Sequence, residues 1–145
     1  MAAGEAAVRI DRSPPEVFAV LSDVEQNPRW STSAIESRLT SLGPVGIGST
    51  AREVSRFLGR RIEVDTEVVA FVPHRRLGVV VTGGPFPLHA TFDVEPVDGG
   101  SQVRVSFIAR PIGVLRIIDR PLGIMVGRKF AADLANLKEL LEAET

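Results

Sequence analysis

The sequence predicts an α+β fold in which a curved antiparallel sheet of about seven strands wraps one long C-terminal helix, with two short helices after the first strand. Three observations predict it. From Ile35 to Ala109, strand-like segments alternate with closely spaced turn signals. An alternating strand and a helix-capping sequence come before that stretch. Apolar residues at helical spacing follow it as far as Leu141.

The first strand is read from Ala6 to Asp11, where Val8 and Ile10 oppose Arg9 and Asp11 as in a half-buried strand. Ser13-Pro14-Pro15-Glu16 then forms a capping box with proline at the first helical position. The Ser13 hydroxyl accepts from the Glu16 amide, and the Glu16 carboxylate reaches back to the cap. Val17, Phe18, Val20 and Leu21 supply the buried side of this short helix. Asn27-Pro28 is expected to break or redirect it, because a residue before proline disfavours the α region. Trp30 follows that break.

The middle of the chain is punctuated by Gly43-Pro44-Val45-Gly46, Gly59-Arg60, Pro73-His74-Arg75, Gly83-Gly84-Pro85 and Asp98-Gly99-Gly100. Connections this short make consecutive strands antiparallel neighbours, giving a meander of about six strands. With Gly59-Arg60 as the turn, Arg56 faces Glu63 and Arg52 faces Glu67, opposite charges across the ladder on the outer face. Ile62, Val64, Thr66 and Val68 then point inward, and Glu53 falls inside, opposite Thr66. With Asp98-Gly99 as the turn, Asp93 faces Arg104 outside, while Phe92 faces Val105 and Val94 faces Val103 inside. A one-residue slip would turn these apolar sets out to water.

The last element is a long amphipathic helix. Asp119 is a candidate N-cap and Pro121 suits the first turn. Leu122, Val126, Phe130, Leu134, Leu137 and Leu141 recur at spacings of four and three, with Arg128, Asp133, Lys138 and Glu139 placed on the polar side. Without a repeat, linker or low-complexity tract, residues 1–145 read as a single domain, long enough for a substantial core.

Composition narrows the function. The net charge of −1 provides no global field for nucleic acid or an anionic membrane. Of the 17 basic residues 15 are arginine, but they are scattered and read as a compositional habit. The absence of cysteine removes disulfides, thiolate chemistry and cysteine metal sites. The first residues lack the pattern of a signal peptide, and the apolar run Pro111 to Gly127 is broken by Arg116, Asp119 and Arg120. A cytoplasmic protein without stable membrane insertion is expected, as a monomer or weak homodimer.

His74 sits in a turn and His89 alternates to the outer face with Thr91 and Asp93, so neither a metal site nor a serine–histidine arrangement is expected. No tyrosine is available to hold an enolate oxygen. Gly43-Pro44-Val45-Gly46-Ile47-Gly48 lacks the Lys-Ser/Thr and the helix of a phosphate loop and reads as a turn. No cofactor is expected.

The segment Ser13-Pro14-Pro15-Glu16-Val17-Phe18-Ala19-Val20-Leu21-Ser22-Asp23-Val24, followed by Asn27-Pro28-Arg29-Trp30, resembles the START-like superfamily of polyketide cyclase/dehydrase and lipid-transport proteins. The ending Phe130-Ala131-Ala132-Asp133-Leu134-Ala135-Asn136-Leu137-Lys138-Glu139-Leu140-Leu141-Glu142 is similar to that superfamily's too. The superfamily includes the birch-pollen-allergen-like ligand binders, and the likeness spans essentially the whole chain. It implies a helix-grip fold with a cavity between the concave face of the sheet and the long helix. It implies little about chemistry, because such folds host many functions.

The residues expected to face that interior are Trp30, Phe57, Ile62, Val64, Thr66, Leu88, Ala90, Phe92, Val105, Phe107, Met125 and Phe130, an apolar and aromatic lining suited to a small hydrophobic molecule. Trp30 has an indole N–H to offer if it lines the entrance. Gly123 shares the helical arc of Phe130 and Leu137, and either packs closely on the sheet or opens space into the pocket. Glu53 is the one candidate catalytic residue. Desolvation would disfavour its charged form, and such a carboxyl is suited to proton transfer on an enolisable ketone; the alternative is a structural carboxylate bound to an arginine or a backbone amide. Three functions follow: a hydrophobic-ligand binder, a cyclase or dehydrase using Glu53, or a ligand-free interaction module. The last requires a collapsed interior and an exposed apolar patch around Pro111 to Ile118.

Overall fold

The computed structural model describes residues 2–57, 59–83, 87–110 and 119–143. Among the described residues nine elements of regular strand or α-helix occur in the order β1 (Ala2–Ile10), α1 (Pro14–Leu21), β2 (Ala34–Leu39), β3 (Thr50–Phe57), β4 (Arg60–Val72), β5 (Arg76–Thr82), β6 (Leu88–Val97), β7 (Gly100–Ala109) and α2 (Asp119–Ala143), with a 3-10 helix Val24–Arg29 after α1. The strands form one antiparallel sheet in the order β1-β7-β6-β5-β4-β3-β2. This is the helix-grip arrangement. Among the described residues no helix is long and apolar enough to cross a membrane.

The local chemistry explains the elements. The Ser13–Glu16 capping box forms, with Glu16 N donating to Ser13 Oγ at 3.4 Å and Ser13 N donating to Glu16 Oε1 at 3.3 Å. The chain redirects earlier than the proline suggests. Asp23 caps the 3-10 helix, accepting from Glu25 N at 3.2 Å and from the Gln26 side chain at 2.9 Å. Pro28 lies inside that helix, which ends where Trp30 N donates to Asn27 O at 3.1 Å. The two short helices expected after β1 are present, and the side chain of Asp23, rather than Asn27-Pro28, marks the break between them. β1 also starts earlier than its alternation suggests, at Ala2, because Ala2 and Gly4 lie on the inward face with Val8 and Ile10. A methyl on Gly4 would come within 2.9 Å of the Phe107 ring opposite it.

The β6–β7 hairpin has the expected register, with Asp93 opposite Arg104, Phe92 opposite Val105 and Val94 opposite Val103. The ion pairs run elsewhere: Asp93 accepts from Arg76 Nε at 2.6 Å, and Arg104 lies 3.5 Å from Glu5. The β3–β4 hairpin departs from expectation by two residues. Arg56 pairs with Arg61, Arg52 with Asp65, Glu53 with Val64 and Ala51 with Thr66. The cause is Gly59, which takes φ +78° immediately before Arg60, the residue that pairs with Phe57. Glycine therefore ends this turn, as Gly99 does in the β6–β7 turn, also at φ +78°. A shift of two preserves the alternation of faces, so the inward set is unchanged.

Curvature comes from irregularities in β2 between Ala34 and Glu36 and in β4 between Val68 and Ala70. Of the expected Gly83-Gly84-Pro85 turn only Gly83 is described, at φ +81°. The capping role expected of the Asp119 side chain lies outside the described residues, as does the patch expected at Pro111 to Ile118.

The apolar face of α2 is buried as expected, with Leu134 and Leu137 at 0% exposure. Asp133 is not on the polar side: at 1% exposure it is among the most buried side chains. It follows Phe130 by three positions and precedes Leu137 by four, which places it on the inward arc. The helix lies closest to β1, at one edge of the sheet. Gly123 faces Ala2 and Ala3 there, and Lys138 Nζ donates to Arg9 O at 2.8 Å. At the same end Glu142 accepts from Asp11 N at 2.9 Å.

Candidate functional site

Because α2 leans on the β1 edge, the concavity over β3 to β6 is not filled by the helix. A cavity of about 390 Å³ remains, within the range of small-molecule sites. Its apolar wall is built by period-two alternation: Val64 and Thr66 on β4, Leu77, Val79 and Val81 on β5, and Leu88, Ala90 and Phe92 on β6. Met125, Val126 and Phe130 close it from the helix, Leu21 and Val24 from the short helices, and Phe57 and Ile62 from the β3–β4 hairpin. Trp30 meets Phe92 edge-to-face at 6.2 Å, and Phe92 meets Phe130 at 6.0 Å, a chain of aromatic contacts along one side.

The expected lining is thus largely brought together, with three exceptions. Val105 is fully buried and not part of the wall. Phe107 packs between Gly4 and Phe130, its ring 5.4 Å from the latter. Gly123 takes the packing alternative, facing β1 rather than the cavity. All three lie where α2 covers the sheet. Trp30 contributes its ring, but it is 5% exposed and its buried N–H finds no hydrogen-bond partner among the described residues. The N–H is not offered at an entrance.

The opposite wall is polar. Asn27, Ser31, Thr32 and Ser33 come from the segment leading into β2, Glu53, Ser55 and Arg56 from β3, and Lys129 and Asp133 from α2. Asp133 Oδ1 accepts from Thr32 N at 2.7 Å and from Thr32 Oγ1 at 2.8 Å, while Oδ2 is paired with Lys129. Lys129 Nζ also lies 4.7 Å from the centre of the Phe130 ring. This ion pair was not foreseen from the sequence, although Asp133 occupies an inward helical position.

Glu53 is half-buried and lines the cavity. Its Oε2 accepts from Ser55 Oγ at 3.0 Å and its Oε1 from Asn27 Nδ2 at 3.4 Å. No cation among the described residues pairs with it. His89 and His74 are exposed and outside the cavity; His74 takes φ +65° in the β4–β5 turn, its ring 6.2 Å from that of Phe18. Among the described residues no cluster of three or more histidines and carboxylates is placed to hold a metal.

A family described as polyketide cyclase / dehydrase and lipid transport matches residues 1–142. The chain belongs to that family. Solved structures agree with this polyketide cyclase/dehydrase and lipid-transport fold. TTHA0849 from Thermus thermophilus is similar with a TM-score of 0.83 and 16% identity, covering 99% of both chains. Ara h 8.0201 gives a TM-score of 0.78 at 16% identity over 98% of both chains. The KanY protein gives 0.73 at 23% identity over 97% of both. Identities this low carry the fold alone. No curated protein sequence matches the chain.

Proposed function

We propose that the protein binds a small hydrophobic molecule, of the polyketide, lipid or aromatic-metabolite kind, in the cavity between the sheet and α2. The observation that carries this reading is a cavity of about 390 Å³ with one apolar, aromatic wall and one polar wall. Apolar area removed from water supplies affinity at roughly 25 cal/mol per Å² before the costs of association are subtracted. Polar groups confined to one wall orient the ligand. Native mass spectrometry of the gently purified protein is expected to find a one-to-one adduct that organic extraction removes, or uptake of an added apolar molecule. A bare mass together with no uptake of any apolar probe would remove the proposal.

A second reading draws on Glu53, whose inward carboxylate is held by Ser55 and Asn27. In it the carboxylate moves a proton on a bound enolisable ketone, as a cyclase or dehydrase requires. It is the weaker reading, because neither histidine lies in the cavity to serve as a partner in proton transfer. A Glu53→Gln variant that turns over an identified substrate like the parent eliminates it. The ligand-free module requires a collapsed interior, and the open cavity argues against it.

A further inference from the structure

The cavity carries its own charge balance. Arg56 and Lys129 line it together with Glu53 and Asp133, two cations against two anions. Lys129 is engaged within this set, paired with Asp133 and placed over the Phe130 ring. An ionised group on a ligand would enter a mainly apolar space without a counter-charge of its own, and lost solvation would disfavour it. A neutral ligand leaves the balance intact.

The hydrogen-bonding groups narrow the neutral class. An ionised carboxylate can only accept, and it offers about four lone-pair sites. On Glu53, Ser55 Oγ takes one at Oε2, at 3.0 Å, and Asn27 Nδ2 takes one at Oε1, at 3.4 Å. The sites left over call for a further donor. The hydroxyl protons of Ser55 and Thr32 are committed to Glu53 and Asp133, so these two side chains have only lone pairs left to offer. A carbonyl or ether oxygen placed against them finds no donor there, whereas a hydroxyl group does find acceptors.

We infer that the ligand of this cavity is a neutral molecule bearing a hydroxyl group, its apolar body seated among Val79, Leu88, Ala90 and Phe92 and its hydroxyl donating to Glu53. The inference rests on the cavity being a ligand site, as proposed above. A neutral O–H that donates to a carboxylate makes a charge-assisted bond and adds no charge to the cavity.

The test compares five probes with one naphthalene body: 1-naphthylmethanol, its methyl ether, 1-naphthylmethylamine, 1-naphthylacetate and 1-methylnaphthalene. Each is titrated near neutral pH into the full chain and into Glu53→Met, displacing a neutral fluorophore. The parent is expected to bind the alcohol about tenfold more tightly than the ether, although the ether is the more apolar of the two. It is expected to bind the alcohol more tightly than the amine or the carboxylate as well. In Glu53→Met the advantage of alcohol over ether is expected to vanish, while 1-methylnaphthalene stays within about threefold, which reports an intact cavity. Should the variant lose 1-methylnaphthalene too, the parent ranking alone decides. An ether bound as tightly as the alcohol, an amine or carboxylate bound more tightly than it, or an advantage that survives Glu53→Met overturns this inference alone. Failure of all five probes and the fluorophore to bind the parent overturns the ligand site itself, and the inference with it.

Discussion

Asp133 on α2 accepts two hydrogen bonds from Thr32, at 2.7 Å from its amide and 2.8 Å from its hydroxyl, tying the long helix to the segment that forms the polar wall of the cavity. Truncation to alanine leaves the Thr32 amide and hydroxyl and the Lys129 ammonium without their acceptor. Asp133→Ala is expected to destabilise by about 3 kcal/mol, the low end for a broken buried pair because Lys129 is 31% exposed. Asp133→Asn keeps an oxygen for Thr32 and is expected to lose about 1 kcal/mol. Urea unfolding of the two variants measures the difference; equal losses would show that the Thr32 bonds contribute nothing.

Arg56 stands directly opposite Arg61 in the β3–β4 ladder. Like charges directly opposed are unfavourable, so Arg61→Glu is expected to stabilise by about 0.5 kcal/mol, with the gain shrinking in high salt. The registers make this diagnostic. Had Arg56 faced Glu63, the same substitution would gain nothing from Arg56.

Two glycines on the β1–α2 side are expected to respond in opposite directions. At Gly123 a methyl would meet Ala3 O at 3.6 Å and Ala2 Cβ at 3.7 Å, ordinary contact distances. Gly123→Ala therefore gains helix propensity, about 1 kcal/mol. At Gly4 a methyl would lie 2.9 Å from the Phe107 ring, and Gly4→Ala is expected to cost about 1–3 kcal/mol through overpacking. Thermal unfolding of both variants checks the signs.

Acid sensitivity follows from two carboxylates. The Ser13 hydroxyl and amide hold Glu16 below its ordinary value of 4.5, and the Lys138 ammonium, with the Asp11 amide, does the same for Glu142. A depressed folded-state value means that the stabilisation is fully present above about pH 4.5 and is lost as pH falls through the lowered values. The Glu16→Gln and Glu142→Gln variants are each expected to show a shallower loss of stability with acidification than the parent. An unchanged slope in the double variant would contradict this.

Hairpin faces and the apolar arc of α2 were legible because each repeats with the period of its element, and the order of the meander because its connections are short. The β6–β7 register followed from Asp98-Gly99, whereas Gly59 was placed at the start of its turn instead of the end, which displaced the β3–β4 pairs without turning any residue over. The apolar wall of the cavity was largely legible for the same reason. Of the polar wall Glu53 was legible from the alternation of β3, but the rest was not, because the path of Ser31, Thr32 and Ser33 past β3 and α2 is set by tertiary packing. Asp133 was obscured by its charge, although its spacing from Phe130 and Leu137 marks it as inward. Val105 and Phe107 were assigned to the right face, yet where α2 rests across the sheet is not written in any periodicity.

The central claim, that the space above β4 to β6 receives a ligand, is tested most directly at Ala90. Its side chain lines the cavity, between Val79 and Phe107 on the neighbouring strands. Ala90→Phe projects a ring into that space, so no overpacking of existing side chains is required. In a fluorescence titration with neutral N-phenylnaphthylamine, the parent is expected to bind one equivalent saturably. Ala90→Phe is expected to bind at least about tenfold more weakly while its unfolding free energy stays within about 1 kcal/mol of the parent's. Saturable binding of equal strength in the two proteins would contradict the claim.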